Sequence, residues 1–183
     1  MSEHLRRDAA ANRDRVVAAA MDVFNDEGTD AGVERIAKRA GVGVGTLYRR
    51  FGTKEALIAY LVDEMLADMT RAAAEALDEP DGRGLERFLR VAAEQLAAHR
   101  GCLQRLWKRQ PSSQAGLTTL RRHIDHLVSD AKAAGTVRAD VTRTDVTTLL
   151  WSVQGVIDNA GSHARTRSLW LIDVAVAGLR PAS

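Results

Sequence analysis

Residues 39–57, RAGVGVGTLYRRFGTKEAL, place glycines at 41, 43 and 45 ahead of Thr46, Tyr48, Arg49 and Arg50. Two kinds of site use such a stretch: a loop that cradles a nucleotide phosphate, and the hinge of a helix-turn-helix that grips DNA. A dinucleotide loop needs a preceding strand, because the strand aims the chain and the following helix offers its N-terminus to the phosphates. The segment ahead, GVERIAKRA, has helical spacing instead. A P-loop needs Gly-Lys-Ser/Thr, and Gly45 is followed directly by Thr46. The hinge accounts for more residues. Ala37 is small enough for two helices to approach closely, and Gly41, four positions on, tolerates the positive φ of a tight turn. Ile36, Val42 and Leu47 fall where apolar groups pack the helix pair together. Glycines and Thr46 let the second helix bring its N-terminus close to a duplex, with Tyr48 and the arginines in reach of groove and phosphates.

Charge supports the same choice. The net charge is only +2, yet Arg35, Lys38, Arg39, Arg49, Arg50 and Lys54 lie in one run that contains no acid. Elsewhere both signs are interleaved. A local phosphate contact explains that concentration, and a solvated basic face is the plainer reading.

Working outward, the apolar spacing is helical throughout. Val16, Ala20, Val23 and Phe24 line a first helix that Gly28 can end. Short helices follow over 33–40 and 44–51. Thr53 is a good N-cap for a fourth, striped by Ile58, Leu61, Val62, Met65 and Met69. After a break at DEPDGRG (78–84), Leu85, Phe88, Leu89, Ala92 and Leu96 form one face. Leu117, Leu120, Ile124, Leu127, Val128 and Ala131 form another, stopped by Gly135. Thr142 and Asp145 have capping-box spacing, with Asp where Glu is usual. Val146, Leu149, Leu150, Val153 and Ile157 share a face up to Gly161, and SLWLIDVAVAGL (168–179) is apolar nearly all round. No segment alternates with period two. The expected fold is all-α: an N-terminal three-helix unit over 1–53 and a larger helical bundle over 54–183, joined directly by the fourth helix.

Composition bounds the rest. At 183 residues, 45% hydrophobic and 27% charged, the chain can bury a sizeable core. Its single cysteine, Cys102, can make no internal disulfide, which fits a reducing compartment. No apolar run approaches a membrane span, and MSEHLRRDAA is not a signal peptide, so a cytoplasmic protein with no membrane partner is expected.

The motifs together resemble the TetR family of bacterial transcriptional regulators. NRDRVVAAAMDVFNDEG matches its first helix, and ERIAKRAGVGVGTLYRRFGTKEALI matches the rest of its DNA-binding unit, with IA..AGV, GTLYRRF and KEAL the specific elements. The likeness spans about residues 12–61; the bundle beyond matches weakly. It implies a homodimer that binds double-stranded DNA at a palindromic operator and releases it when a small effector enters the bundle. By position, Val44, Gly45 and Thr46 would open the recognition helix against bases. Tyr48 and Arg49 would contact phosphates or base edges, Lys54 would hold a phosphate with nearby amides, and Arg13 would touch the backbone. Arg50 would either contact DNA or turn back to an acid of the first helix. Gly32 and Gly43 depart from the family, which often has a hydroxyl residue at each position.

Effector-lining candidates are Phe88, Leu103, Trp107, His123, Trp151, Gln154 and Asp158, each of which could equally be core packing. Gln154 and Asp158, four apart on an apolar face, are the best placed to fix a polar group. His123, His126 and Asp130 share a face at metal-ligand spacing, but a third ligand from elsewhere is lacking and nothing identifies Cys102 as that partner, so no metal or other cofactor is expected. Val153, Val156, Ile157, Trp170, Leu171 and Val174 carry more apolar surface than one bundle readily covers, which suggests a two-fold contact; the alternative is a monomer with an extra buried helix. Without a nucleophile–base pair, paired carboxylates or a metal set, an enzyme is not expected. A regulator lacking a small-molecule effector, or an activator, is the alternative.

Overall fold

Glycines in the left-handed region end several of the described helices. The computed structural model describes residues 2–99 and 114–181. Helix α1 (Ser2–Glu27) ends at Gly28, which has φ 76°. Helix α2 (Val33–Ala40) ends at Gly41, φ 66° and ψ 33°, in the left-handed region. The Gly41 amide donates to Lys38 O at 3.3 Å and the Val42 amide to Ala37 O at 3.0 Å, a Schellman closure that satisfies carbonyls a helix end would otherwise leave bare. Helix α3 (Val44–Phe51) follows at once. Thr53 then caps α4 (Lys54–Ala76), its Oγ1 accepting from the Ala56 amide at 3.0 Å.

The N-terminal core joins Val16, Val23 and Phe24 of α1 to Ile36 and Ala37 of α2, Leu47 of α3, and Leu57, Ile58 and Leu61 of α4. Phe24, Ile36 and Leu47 are wholly buried. Phe51 meets Tyr60 edge to face, with ring centroids 5.7 Å apart. The division between the two compact units falls inside α4, between Asp63 and Glu64, beyond the boundary at residue 53 read from the sequence. The first two turns of α4 belong to the N-terminal core because their apolar stripe closes it.

In the C-terminal unit a one-turn 3-10 helix (Pro80–Gly82) leads into α5 (Gly84–Ala98). Helices α6 (Gln114–Ala133), α7 (Arg143–Ala160) and α8 (Ala164–Leu179) follow. Gly84 has no room for a side chain: a Cβ there would stand 2.2 Å from Ala76 O and 2.8 Å from Leu127 Cδ2. The α7 capping box is formed in full. Thr142 Oγ1 accepts from the Asp145 amide, and the Thr142 amide donates to Asp145 Oδ2 at 2.7 Å. The Thr142 hydroxyl and amide hold the Asp145 carboxyl below its ordinary pKa. Arg138 closes the far end of α8, its amide donating to Leu179 O at 2.8 Å and its guanidinium to Gly178 O at 2.9 Å. All elements among the described residues are helical.

Candidate nucleic-acid interface

Helix α3 turns Leu47 inward and its other side outward. Leu47 is fully buried, while Tyr48 is 43% exposed and Arg49 and Arg50 stand in solvent. Gly45 opens the exposed side, with no atom within 4 Å of where a Cβ would be. Gly43 is the N-cap and supplies no side-chain bond, so the first-turn amides of α3 lack a capping hydroxyl. Thr46 and Val44 are half-buried beside it. Arg49 folds along the helix, donating from Nε to Gly45 O at 3.3 Å and from its terminal nitrogen to Thr46 Oγ1 at 3.1 Å.

A hollow of about 280 Å³ between α1 and α3 is bordered by Asn12, Arg13, Val16, Thr46, Arg49 and Arg50. Three guanidinium groups around one concavity make it attractive to anions. Arg50 makes no ion pair among the described residues; the arginines that reach back to acids of α1 are Arg39, on Asp22 at 2.9 Å, and Arg35, on Glu27 at 2.7 Å. Two cations of the basic run thus brace α2 against α1. That division of labour was invisible in the sequence, where all six cations look alike. Lys54 is half-buried at the first position of α4.

The residues expected to line an effector site do not share one surrounding. Phe88 is fully buried. Leu103 and Trp107 lie outside the described residues. Trp151 stands clear of the interior, 57% exposed. Gln154 Nε2 donates to Asp158 on the exposed side at 2.7 Å, while Gln154 Oε1 and His123 Nδ1 are buried with no hydrogen-bond partner among the described residues. Gln95 Oε1 and Ser168 Oγ are in the same condition, and sequence reasoning singled out neither. Nothing in their spacing marks them, since Gln and Ser are ordinary on any helix. A cavity of about 720 Å³ elsewhere in the C-terminal unit is bordered by Leu85, Leu89, Thr136, Val137, Val176 and Leu179, and none of the expected residues lines it. No group of three His, Cys, Asp or Glu that could hold a metal occurs among the described residues.

The residues expected at a two-fold contact differ in their exposure. Val153 and Ile157 are buried within the protomer, at 0% and 4% exposure, because they face α8 and α5 from the inner side of α7. Val156 and Leu171 are half-buried. Trp170 and Val174 are exposed, at 59% and 51%, and Trp151 joins them on the outside.

Two short helices meeting through a left-handed glycine, the second exposed and cationic, define a helix-turn-helix unit. The family model described as bacterial regulatory proteins, tetR family, matches residues 16–61. A second, described as the SbtR-like transcriptional regulator C-terminal domain, matches residues 79–181. A TetR transcription regulatory protein from Mycobacterium vanbaalenii is 32% identical, with 97% of this chain and 99% of that one covered and a TM-score of 0.69. A TetR transcriptional regulator from Streptomyces coelicolor is also 32% identical, over 93% and 99% of the two chains, at TM-score 0.69. An HTH-type transcriptional regulator of Staphylococcus aureus strain USA300 is 41% identical over 63 residues; the match spans 34% of the length of either chain. The chain belongs to the TetR family of DNA-binding transcriptional regulators, which are not enzymes. No helix among the described residues is long and apolar enough to cross a membrane.

Proposed function

We propose that the protein is a homodimeric repressor that reads a palindromic operator through α3 and leaves it when a small molecule occupies the C-terminal unit. The observation that carries the DNA half is the exposed face of α3, where Gly45 permits close backbone approach and Arg13, Arg49 and Arg50 border one hollow. Val44, Gly45 and Thr46 face bases in this reading. Tyr48, Arg49 and Arg50 take phosphates or base edges, Arg13 reaches the backbone from α1, and Lys54 holds a phosphate beside the start of α4.

Dimerisation rests on Trp151, Trp170 and Val174, three large apolar side chains left in water on α7 and α8. Burying them across a two-fold axis removes that exposure and gives the DNA two recognition helices related by the same symmetry. Helix α4 contributes Leu57, Ile58 and Leu61 to the N-terminal core and carries buried Met65 and Met69 beyond the division, so one helix has residues in both units. An effector displaces the operator only if it binds the DNA-free form more tightly.

The test uses the purified protein and fragments of the DNA flanking its own gene. Specific retention of one fragment, competed by itself and not by unrelated duplex, is the expected result. Retention that no fragment wins over unrelated DNA would remove the proposal.

A further inference from the structure

We propose that the interior of the C-terminal unit is a site for an uncharged organic molecule bearing hydrogen-bond donors on an apolar body, held by Gln95, Gln154 and Ser168, with His123 further along. The proposal rests on the effector reading above and adds the chemistry of what binds.

Four described helices of the unit each carry one buried polar atom without a hydrogen-bond partner among the described residues: Gln95 Oε1 on α5, His123 Nδ1 on α6, Gln154 Oε1 on α7 and Ser168 Oγ on α8. Folded proteins pair the great majority of such groups, because an unmet one loses its water and gains nothing in return. Surface slack does not explain Ser168, which has no exposure at all. Its hydroxyl does not even bond back to its own helix, the usual refuge of a helical serine.

Ion pairs between α5 and α8 show the register, which leaves three of these atoms within about one helical turn of one another along the bundle. Arg180 faces Glu86 at 4.0 Å, Arg90 faces Asp173 at 2.5 Å, and Arg165 pairs with Glu94, so α5 and α8 run antiparallel. Gln95 follows Glu94, and Ser168 lies one turn beyond Arg165. Helices α7 and α8 form a hairpin through the short turn Gly161–His163. Gln154 stands about two turns from that connection and Ser168 about one and a half, within a turn of each other in height. His123 is one turn from Leu127, whose side chain lies by the start of α5 at Gly84, and so sits nearer the other end.

The chemistry of the occupant follows from what the interior holds. Gln154 Nε2 is committed to Asp158 at 2.7 Å, which leaves Oε1 as an inward acceptor that requires a donor. Ser168 is the one fully buried polar or charged residue among the described residues. The groups of Gln95, Gln154 and Ser168 are neutral, so a carboxylate or an ammonium set against them would shed its hydration without meeting an opposite charge, whereas an amide or hydroxyl would find matched hydrogen bonds. Buried side chains of the same helices, among them Phe88, Ala92 and Leu96 of α5 and Ile172 of α8, suit an apolar body.

Three probes sharing one tail test this on the intact protein: octanamide, octanoate and octylamine, scored by thermal shift and, separately, by retention of operator DNA. Octanamide should raise Tm, the two ions should not, and Gln154→Met should abolish the octanamide shift. Equal or greater stabilisation by octanoate or octylamine, an octanamide shift unchanged in Gln154→Met, or no shift with any probe would overturn the proposal. A ligand-free arm stands apart from the probes. Ser168→Ala should raise the Tm of the unliganded protein by removing an unmet hydroxyl, and a drop would show that the core satisfies it and sink the site. Octanamide binding that leaves operator retention unchanged would uphold the site and remove the effector reading. Operator release by octanoate alone would do the reverse.

Discussion

Two glycines four residues apart, Gly41 and Gly45, should respond to the same methyl group with opposite signs. Gly41 sits at φ 66°, ψ 33°, and a Cβ there meets no atom within 4 Å. The cost of Gly41→Ala is therefore conformational alone, about 1–2 kcal/mol for an L-residue in the left-handed region. Gly41→Asn should cost less, because asparagine tolerates that region. Gly45 also has open space, but it lies in the first turn of α3 with helical geometry. Gly45→Ala should gain stability, by at most about 0.5–1 kcal/mol, as alanine replaces glycine in a helix. Its methyl would nonetheless stand where the backbone is proposed to approach the duplex, so operator affinity should fall while stability rises. Urea denaturation followed by far-ultraviolet circular dichroism reads the first effect, and fluorescence anisotropy with labelled operator reads the second. A Gly41→Ala protein as stable as the parent, or Gly41→Asn worse than Gly41→Ala, would refute the left-handed hinge. Undiminished affinity in Gly45→Ala would refute the close approach.

Other positions give sharper single outcomes. Arg49→Ala should weaken operator binding and make the plot of log affinity against log salt shallower by about one unit, measured by anisotropy from low to physiological salt. Gly84→Ala should destabilise the C-terminal unit by about 1–3 kcal/mol or more, since its methyl would overlap Ala76 O and Leu127; unchanged melting contradicts that packing. Thr142→Ala should cost about 0.5–2 kcal/mol through the lost cap. The Asp145 carboxyl is depressed by Thr142, so its contribution is present above the ordinary carboxylate pKa and fades as pH falls through the folded value. The penalty of Thr142→Ala should accordingly shrink in acid, read as converging Tm values between neutral pH and pH about 3. Trp170→Arg should convert the proposed dimer to monomer in size-exclusion with light scattering.

What the sequence revealed and what it hid divide along physical lines. Gly28, Gly41, Gly135 and the Thr142–Asp145 pair announce helix ends because backbone conformation and capping are local, and each performs that role in the structure. The stripes through Phe24, Ile36, Leu47 and Leu127 likewise predict burial from period alone. Partner choice is not local. Arg35 and Arg39 pair with Glu27 and Asp22 of α1 while Arg50 makes no ion pair among the described residues, and only the crossing of α1 with α2 decides which. Val153 and Trp151 were hard to rank for the same reason: two residues apart on α7, they lie on opposite sides, one in the protomer core and one in solvent. Ser168 and Gln95 carried no signal, since an unmet hydrogen bond exists only once the helices have packed around it.

Sequence selection from random duplex DNA, followed by hydroxyl-radical footprinting of the winner, tests the central claim most directly. The account predicts an inverted repeat, protected in two patches about one helical turn apart, and loss of both patches in Arg49→Ala. Recovery of no preferred sequence, or a footprint that survives Arg49→Ala intact, would contradict it.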